Sequence, residues 1–188
     1  MLIKCTITGI TPLLCNRFTD EAQLAVQHGT SAVIRGQKPS PMEQARAKLY
    51  TDAEGRLVLP GPNVFAALVD AGKFIKTGKT RLTTARSSLV PAGLTIGEVD
   101  LPLSPNKWVP DSRPVVIPAT GGRMIAHRPR FDAWGVTFTL EIDGSLFSAS
   151  VVRELVDLAG MRIGLGDFRP ARKGPFGRFK VTSWKEQA

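Results

Sequence analysis

Apolar and polar positions alternate with a period of two near both ends of the chain. Over "LIKCTITGI", residues 2–10, Ile3, Cys5 and Ile7 share one face and predict a first strand. "WGVTFTLEID" alternates more cleanly, with Val136, Phe138, Leu140 and Ile142 on one side, and "GRFKVTSW" supplies a last strand with Phe179 and Val181 on one face. In two other stretches the period lengthens to three and four. Val64, Phe65, Leu68, Val69 and Phe74 in "PGPNVFAALVDAGKFIK" predict a helix with Pro62 in its first turn. "GSLFSASVVRELVDLAGMRIG" predicts a second, beginning near Ser148 or Ser150 and stopping at Gly160. Residues 88–103 suggest strands broken by "PAG" and by Gly97, and "PVVIPATGGRMIAHRPRF" a hairpin-like excursion with a Gly-Gly tip. From Asn16 to Pro60 the pattern loosens. Thr19 and Ser40 are expected to cap two short helices, with "GTSAVIRGQKPS" between them as a loop or short hairpin and "TDAEGRLVLP" after them as a turn and short strand.

In order, the clearest pieces read strand, helix, strands, strand, helix, strand. That is a βαββαβ plan with insertions: an α+β fold of modified ferredoxin-like (RRM-like) type, an antiparallel sheet backed by two helices. The length, 188 residues with 43% hydrophobic, suits one domain with a real core. The longest apolar runs are strand-sized, so no membrane partner is expected. No export signal is visible at the start, and two cysteines, Cys5 and Cys15, are too few for a disulfide framework. Both observations lead to an expected cytoplasmic location with reduced thiols. His28 and His127 lack ligand-like spacing to the cysteines, so no metal and no cofactor is expected.

Charge changes the picture. The formal net charge is +9, which favours a polyanionic partner, and the excess is clustered. From Met161 onward seven basic residues face two acidic ones, and from Lys73 to Arg86 there are five basic residues and no acid. The stretch "GLGDFRPARKGPFGRFKV", residues 164–181, sets four glycines, two prolines, three phenylalanines and five basic residues around one acid. Glycine permits positive φ and close backbone approach, successive free amides can cradle an anion, and arginine adds bidentate contacts. Within it, "KGPFGRF" is similar to the RNA-recognition signature of Lys-Gly-aromatic-Gly-aromatic type, with Pro175 inserted. Phe176 and Phe179 either stack on bases or pin the loop to the core, with core favoured for Phe179.

Catalytic signals are sparse. "GKFIKTGKT" is not a nucleotide-binding P-loop, because five residues separate Gly72 from Gly78 and the stretch follows a helix. Lys73, Lys76, Lys79 and Arg81 suit either a basic loop that touches phosphates or a merely solvated one. His127 in "AHRPRF" and Asp20 in "RFTDEA" are the candidate catalytic groups, read otherwise as a surface histidine and a helix-start carboxylate.

Three stretches, in order, resemble the RAMP superfamily of CRISPR-associated proteins, especially the subunits that line up along a guide RNA. "ITGITPLLCNRF" resembles their first strand and following loop. "EGRLVLPGPNVFAALVDAGK" resembles their Pro-Gly turn opening the first helix, and "IGLGDFRPARKGPFGRF" their glycine-rich loop. The resemblance implies a single RAMP-like domain over 1–188, with 16–59 and 104–130 where that family carries insertions. It implies a protein that binds single-stranded RNA through loops and packs beside copies of itself or related subunits in a ribonucleoprotein. Pro60, Gly61 and Asn63 would then shape the start of the helix near the guide, and Gly164, Gly166, Gly174 and Gly177 would bring amides to phosphates. Arg169, Arg172, Lys173 and Arg178 would neutralise those phosphates. Some relatives cut target RNA with an aspartate after the first strand, and Asp20 is the nearest match. Two other readings stand beside the RNA-binding subunit: an endoribonuclease of the same fold, and a phage or host-interaction structural protein with no nucleic-acid role.

Overall fold

The computed structural model describes residues 1–29, 39–116 and 120–187. Residues 30–38 of the loop or hairpin expected over "GTSAVIRGQKPS" fall outside them, as do residues 117–119 near the Gly-Gly tip. Strand β1 (Leu2–Gly9) leads through β2 (Leu13–Leu14) to two short helices, α1 (Asp20–Gln27) and α2 (Pro41–Arg46). Both helices start where capping chemistry predicts. The Thr19 hydroxyl accepts from the Ala22 amide at 3.4 Å, and Ser40 and Glu43 close a reciprocal capping box. Strand β3 (Val58–Pro60) runs into helix α3 (Gly61–Ala71). A small hairpin, β4 (Lys76–Thr77) and β5 (Thr80–Arg81), follows, then a one-turn helix α4 (Val90–Gly93) and strands β6 (Leu94–Ile96) and β7 (Asp100–Pro102). The long hairpin β8 (Val109–Val116) and β9 (Arg123–Phe131) precedes β10 (Gly135–Ile142), α5 (Ala149–Leu158) and β11 (Phe179–Gln187).

The architecture is mixed α+β with antiparallel sheets, compatible with a ferredoxin-like fold. Its main sheet has the order β11-β1-β10-β6, every pair antiparallel. Register puts Ile3 opposite Leu140, Cys5 opposite Phe138 and Ile7 opposite Val136, so the alternation in two distant segments merges into one buried face. Val64 and Leu68 of α3 and Val152, Leu155 and Val156 of α5 complete the same core. A second sheet, β2-β9-β8, carries the long hairpin, as the Gly-Gly tip predicts.

Four local expectations are corrected. Helix α5 does not stop at Gly160. Its backbone widens into a π turn over Ala159–Ile163 and ends at Gly164. Gly160 serves contact instead, because a Cβ there would overlap the Phe179 carbonyl of β11. Phe74 is not on the buried face of α3. The helix ends at Ala71, and a 3-10 turn swings Phe74 outward between the Lys73 ammonium, 5.2 Å from the ring centroid, and the Arg162 guanidinium, 4.7 Å away. The "PAG" expected to break a strand forms α4, and the basic segment read as a loop forms the β4–β5 hairpin.

Candidate nucleic-acid interface

The glycine-rich segment between the π turn and β11 is a tied loop. Gly177 has φ +72, and a Cβ on it would overlap the Leu165 carbonyl. Its amide donates to Pro12 O at 2.8 Å and its carbonyl accepts from Leu165 N at 2.9 Å. Asp167 N reaches Leu14 O at 2.7 Å, and Arg178 N reaches Thr11 Oγ1 at 3.0 Å. The loop is therefore sewn along the segment that joins β1 to β2.

That sewing corrects the expected amide cradle. The amides of Gly164, Gly174 and Gly177 donate to Ala159 O, Arg169 O and Pro12 O at 2.8, 3.0 and 2.8 Å, so they are committed inside the chain. Side chains carry what the loop offers outward. Arg172 and Lys173 are exposed, at the end of a 3-10 turn, Pro170–Arg172. Arg169 and Arg178 are half-buried, and Arg169 Nη1 donates to Gly166 O at 3.0 Å. Phe176 and Phe179 are 7% and 1% exposed, which decides the stacking-or-core question in favour of core for both.

Against the loop lies a cavity of about 240 Å³ whose lining includes Asn16, Tyr50, Asn63, Gly166, Asp167 and Arg169. Asn63 stands in the first turn of α3, so the Pro-Gly turn that opens this helix also delivers an amide side chain to the cavity. Burial, with the nearby Cys15 thiol, pushes the Tyr50 hydroxyl above its ordinary range, while a hydrogen bond with Asn63 opposes the shift. Burial pushes the Cys15 thiol itself up to about 12, leaving it neutral. Asp167 is ion-paired to Arg128 of β9, with Nε and Oδ2 2.8 Å apart and both shut off from solvent. Burial and the adjacent Arg128 hold the Lys48 ammonium below its usual range, with Asp167 opposing. The cavity has a mixed polar and apolar lining in which Arg169 is the cationic residue, and it is too small for a drug-sized ligand.

The remaining expected residues lie elsewhere. Lys76 pairs opposite Arg81 in the β4–β5 hairpin, Lys79 is at its tip, and Arg81 Nη1 is pinned to Lys73 O at 2.9 Å; none of the four lines the cavity. His127 Nδ1 shares a 2.7 Å hydrogen bond with Ser112 Oγ across the β8–β9 pair. Asp20 is an exposed first-turn carboxylate of α1, and its hydrogen bond and charge contact with Arg17, 2.9 Å away, hold it below the usual carboxylate range. Asp20 and His127 do not line the cavity either. Among the described residues no cluster of three or more His, Cys, Asp or Glu side chains suits a metal ion, and no helix is long and apolar enough to cross a membrane. Sequence reasoning nominated none of Asn16, Tyr50 and Asp167, although Asn16 and Asp167 stand in stretches it singled out. They meet because the chain just after β2, the segment between α2 and β3, and the loop converge.

No family model matches the chain, and no curated protein matches it. Among solved structures it is similar to a chain in the cryo-EM structure of the Type III-B Cmr-beta bound to cognate target RNA. The TM-score is 0.60 at 11% identity, covering 98% of this chain. This chain spans 59% of that neighbour. The likeness is one of fold.

Proposed function

We propose that this chain binds single-stranded RNA across the glycine-rich loop and the adjoining cavity. It does so as a subunit of a CRISPR-type ribonucleoprotein, beside copies of itself or related subunits along a guide RNA in the cytoplasm. The observation that carries the reading is a coincidence of position. Asn63, nominated from one sequence stretch, and Gly166 and Arg169, nominated from another, line one cavity, and the exposed Arg172 and Lys173 stand on the same loop as the latter pair. The likeness to a chain of an RNA-bound assembly supports it. We read β1, α3, β6, β10, α5 and β11 as a ferredoxin-like βαββαβ frame, because the order β11-β1-β10-β6 suits that frame, with 16–59 and 104–130 as insertions.

In this role phosphates meet chiefly guanidinium and ammonium groups, because the Gly164, Gly174 and Gly177 amides are already bonded within the chain, so affinity depends steeply on salt. The test is fluorescence anisotropy with a labelled single-stranded RNA across a salt series. The wild-type chain is expected to bind below micromolar concentration. Arg172→Glu with Lys173→Glu should weaken binding and flatten the slope of log K against log salt by about 0.7 for each phosphate left without its cation. A chain that binds no RNA, or whose binding ignores both salt and charge reversal, refutes the role.

A further inference from the structure

The loop has a feature that its charge does not explain. Phe168 sits at φ +49, one of two non-glycine residues with positive φ among those described; Lys173 at φ +60 is the other. A bulky side chain is held in that region only when its surroundings over-determine it. Here they do. The Phe168 amide donates to Asp167 Oδ1 at 2.9 Å, its carbonyl accepts from Phe176 N at 3.3 Å, and Gly174 passes so close that a Cβ would overlap that carbonyl.

The ring fixed in this way is not used for the core. Phe168 is 40% exposed, whereas Phe176 is buried directly beside it, with centroids 6.1 Å apart and ring planes tilted by 37°. Phe176 in turn carries the Arg113 guanidinium 4.9 Å from its centroid. Phe168 thus rests on a rigid aromatic and cationic backing and keeps open surface toward solvent. Arg169, Arg172 and Lys173 follow it within five residues. An exposed aromatic plane with cations following it on the same loop suits an unpaired nucleobase, which offers a π face next to a phosphate.

We propose that Phe168 is a stacking platform for an unpaired base of single-stranded RNA, whose neighbouring phosphates are held by Arg172 and Lys173. This rests on the reading above that the loop binds such a strand. Positive φ is what aims the ring outward, and Gly174 is the residue that makes room for it.

The test uses the full chain and a short fluorescein-labelled oligoadenylate. Phe168→Ala should weaken binding by about 5- to 150-fold, the loss of one base–aromatic stack. The salt slope should not change, because every phosphate keeps its cation. Phe168→Trp should restore affinity to within a few-fold, and its emission, compared with that of the wild type, should be quenched by the RNA. All three proteins should melt at the same temperature. Equal affinity of wild type and Phe168→Ala overturns the platform, as does an affinity loss that tracks a lowered melting temperature, since Phe168 would then be a structural cover for Phe176. A wild-type chain that binds no RNA overturns the underlying reading as well, so the two failures are told apart.

Discussion

Replacing Gly177 by alanine tests whether the loop is held as described. At φ +72 a Cβ costs about 1–2 kcal/mol on backbone grounds alone. That Cβ would also overlap the Leu165 carbonyl oxygen, a backbone atom that no rotamer change can move aside. Relief requires parting Leu165 from Gly177 or Gly177 from Pro12, hydrogen bonds of 2.9 and 2.8 Å. Each contributes about 0.5–1.5 kcal/mol net. Gly177→Ala should therefore destabilise by about 1.5–3.5 kcal/mol, a large share of the roughly 5–15 kcal/mol of a typical domain. Urea unfolding followed by tryptophan emission measures it, with Trp134 as a local reporter because its ring lies 6.3 Å from that of Phe179. Gly55→Ala is the control. Gly55 also has positive φ, +78, but a Cβ there meets nothing within 4 Å, so only the backbone cost applies. If Gly177→Ala costs no more than Gly55→Ala, the loop is not locked in the way its hydrogen bonds imply.

Three further outcomes are expected. Burial would raise the Asp111 carboxyl, but hydrogen bonds from Arg113 and Arg130 outweigh it and hold the group below the carboxylate range. A depressed folded-state value means stability present above the unfolded value near 3.9 and lost as pH falls through the folded one. Asp111→Asn should thus lower the melting temperature at neutral pH, and the gap to wild type should close below about pH 4; a constant gap refutes the assignment. Burial pushes the Cys5 and Cys15 thiols up to about 12, so neither should react with Ellman's reagent in the folded protein and both should in urea; rapid reaction of the native protein refutes their burial. Gly160→Ala should destabilise by about 1–3 kcal/mol by forcing the π turn off β11, read as a shift in urea midpoint at constant m; an unshifted midpoint shows that the two elements can relax apart.

Much of the frame is legible in the sequence because it rests on local periodicity. Ile3, Cys5 and Ile7 alternate, as do Val136, Phe138, Leu140 and Ile142, and their register follows once both strands need the same dry face. The capping residues Thr19, Ser40 and Ser148 are equally readable, since a cap is a bond between near neighbours. The role of each glycine is not. Gly160 and Gly177 look alike in the sequence, yet one admits β11 and the other turns the loop beneath Leu165. The cationic side chains of the candidate site are visible in the sequence, whereas the fate of the Asp167 and Gly177 amides is not, because their acceptors Leu14 and Pro12 lie more than 150 residues upstream. Phe168 carries no signal of its own, because exposure and φ are set by partners that a linear reading does not rank.

The hydrogen bond from the Arg178 amide to Thr11 spans 167 positions of the chain. During translation nothing on the nascent polypeptide can anchor the loop until both positions have emerged from the ribosome. The tie between the loop and the segment joining β1 to β2 is thus made only after most of these 188 residues have been synthesised, so the loop takes its final shape late in folding and not as it leaves the ribosome.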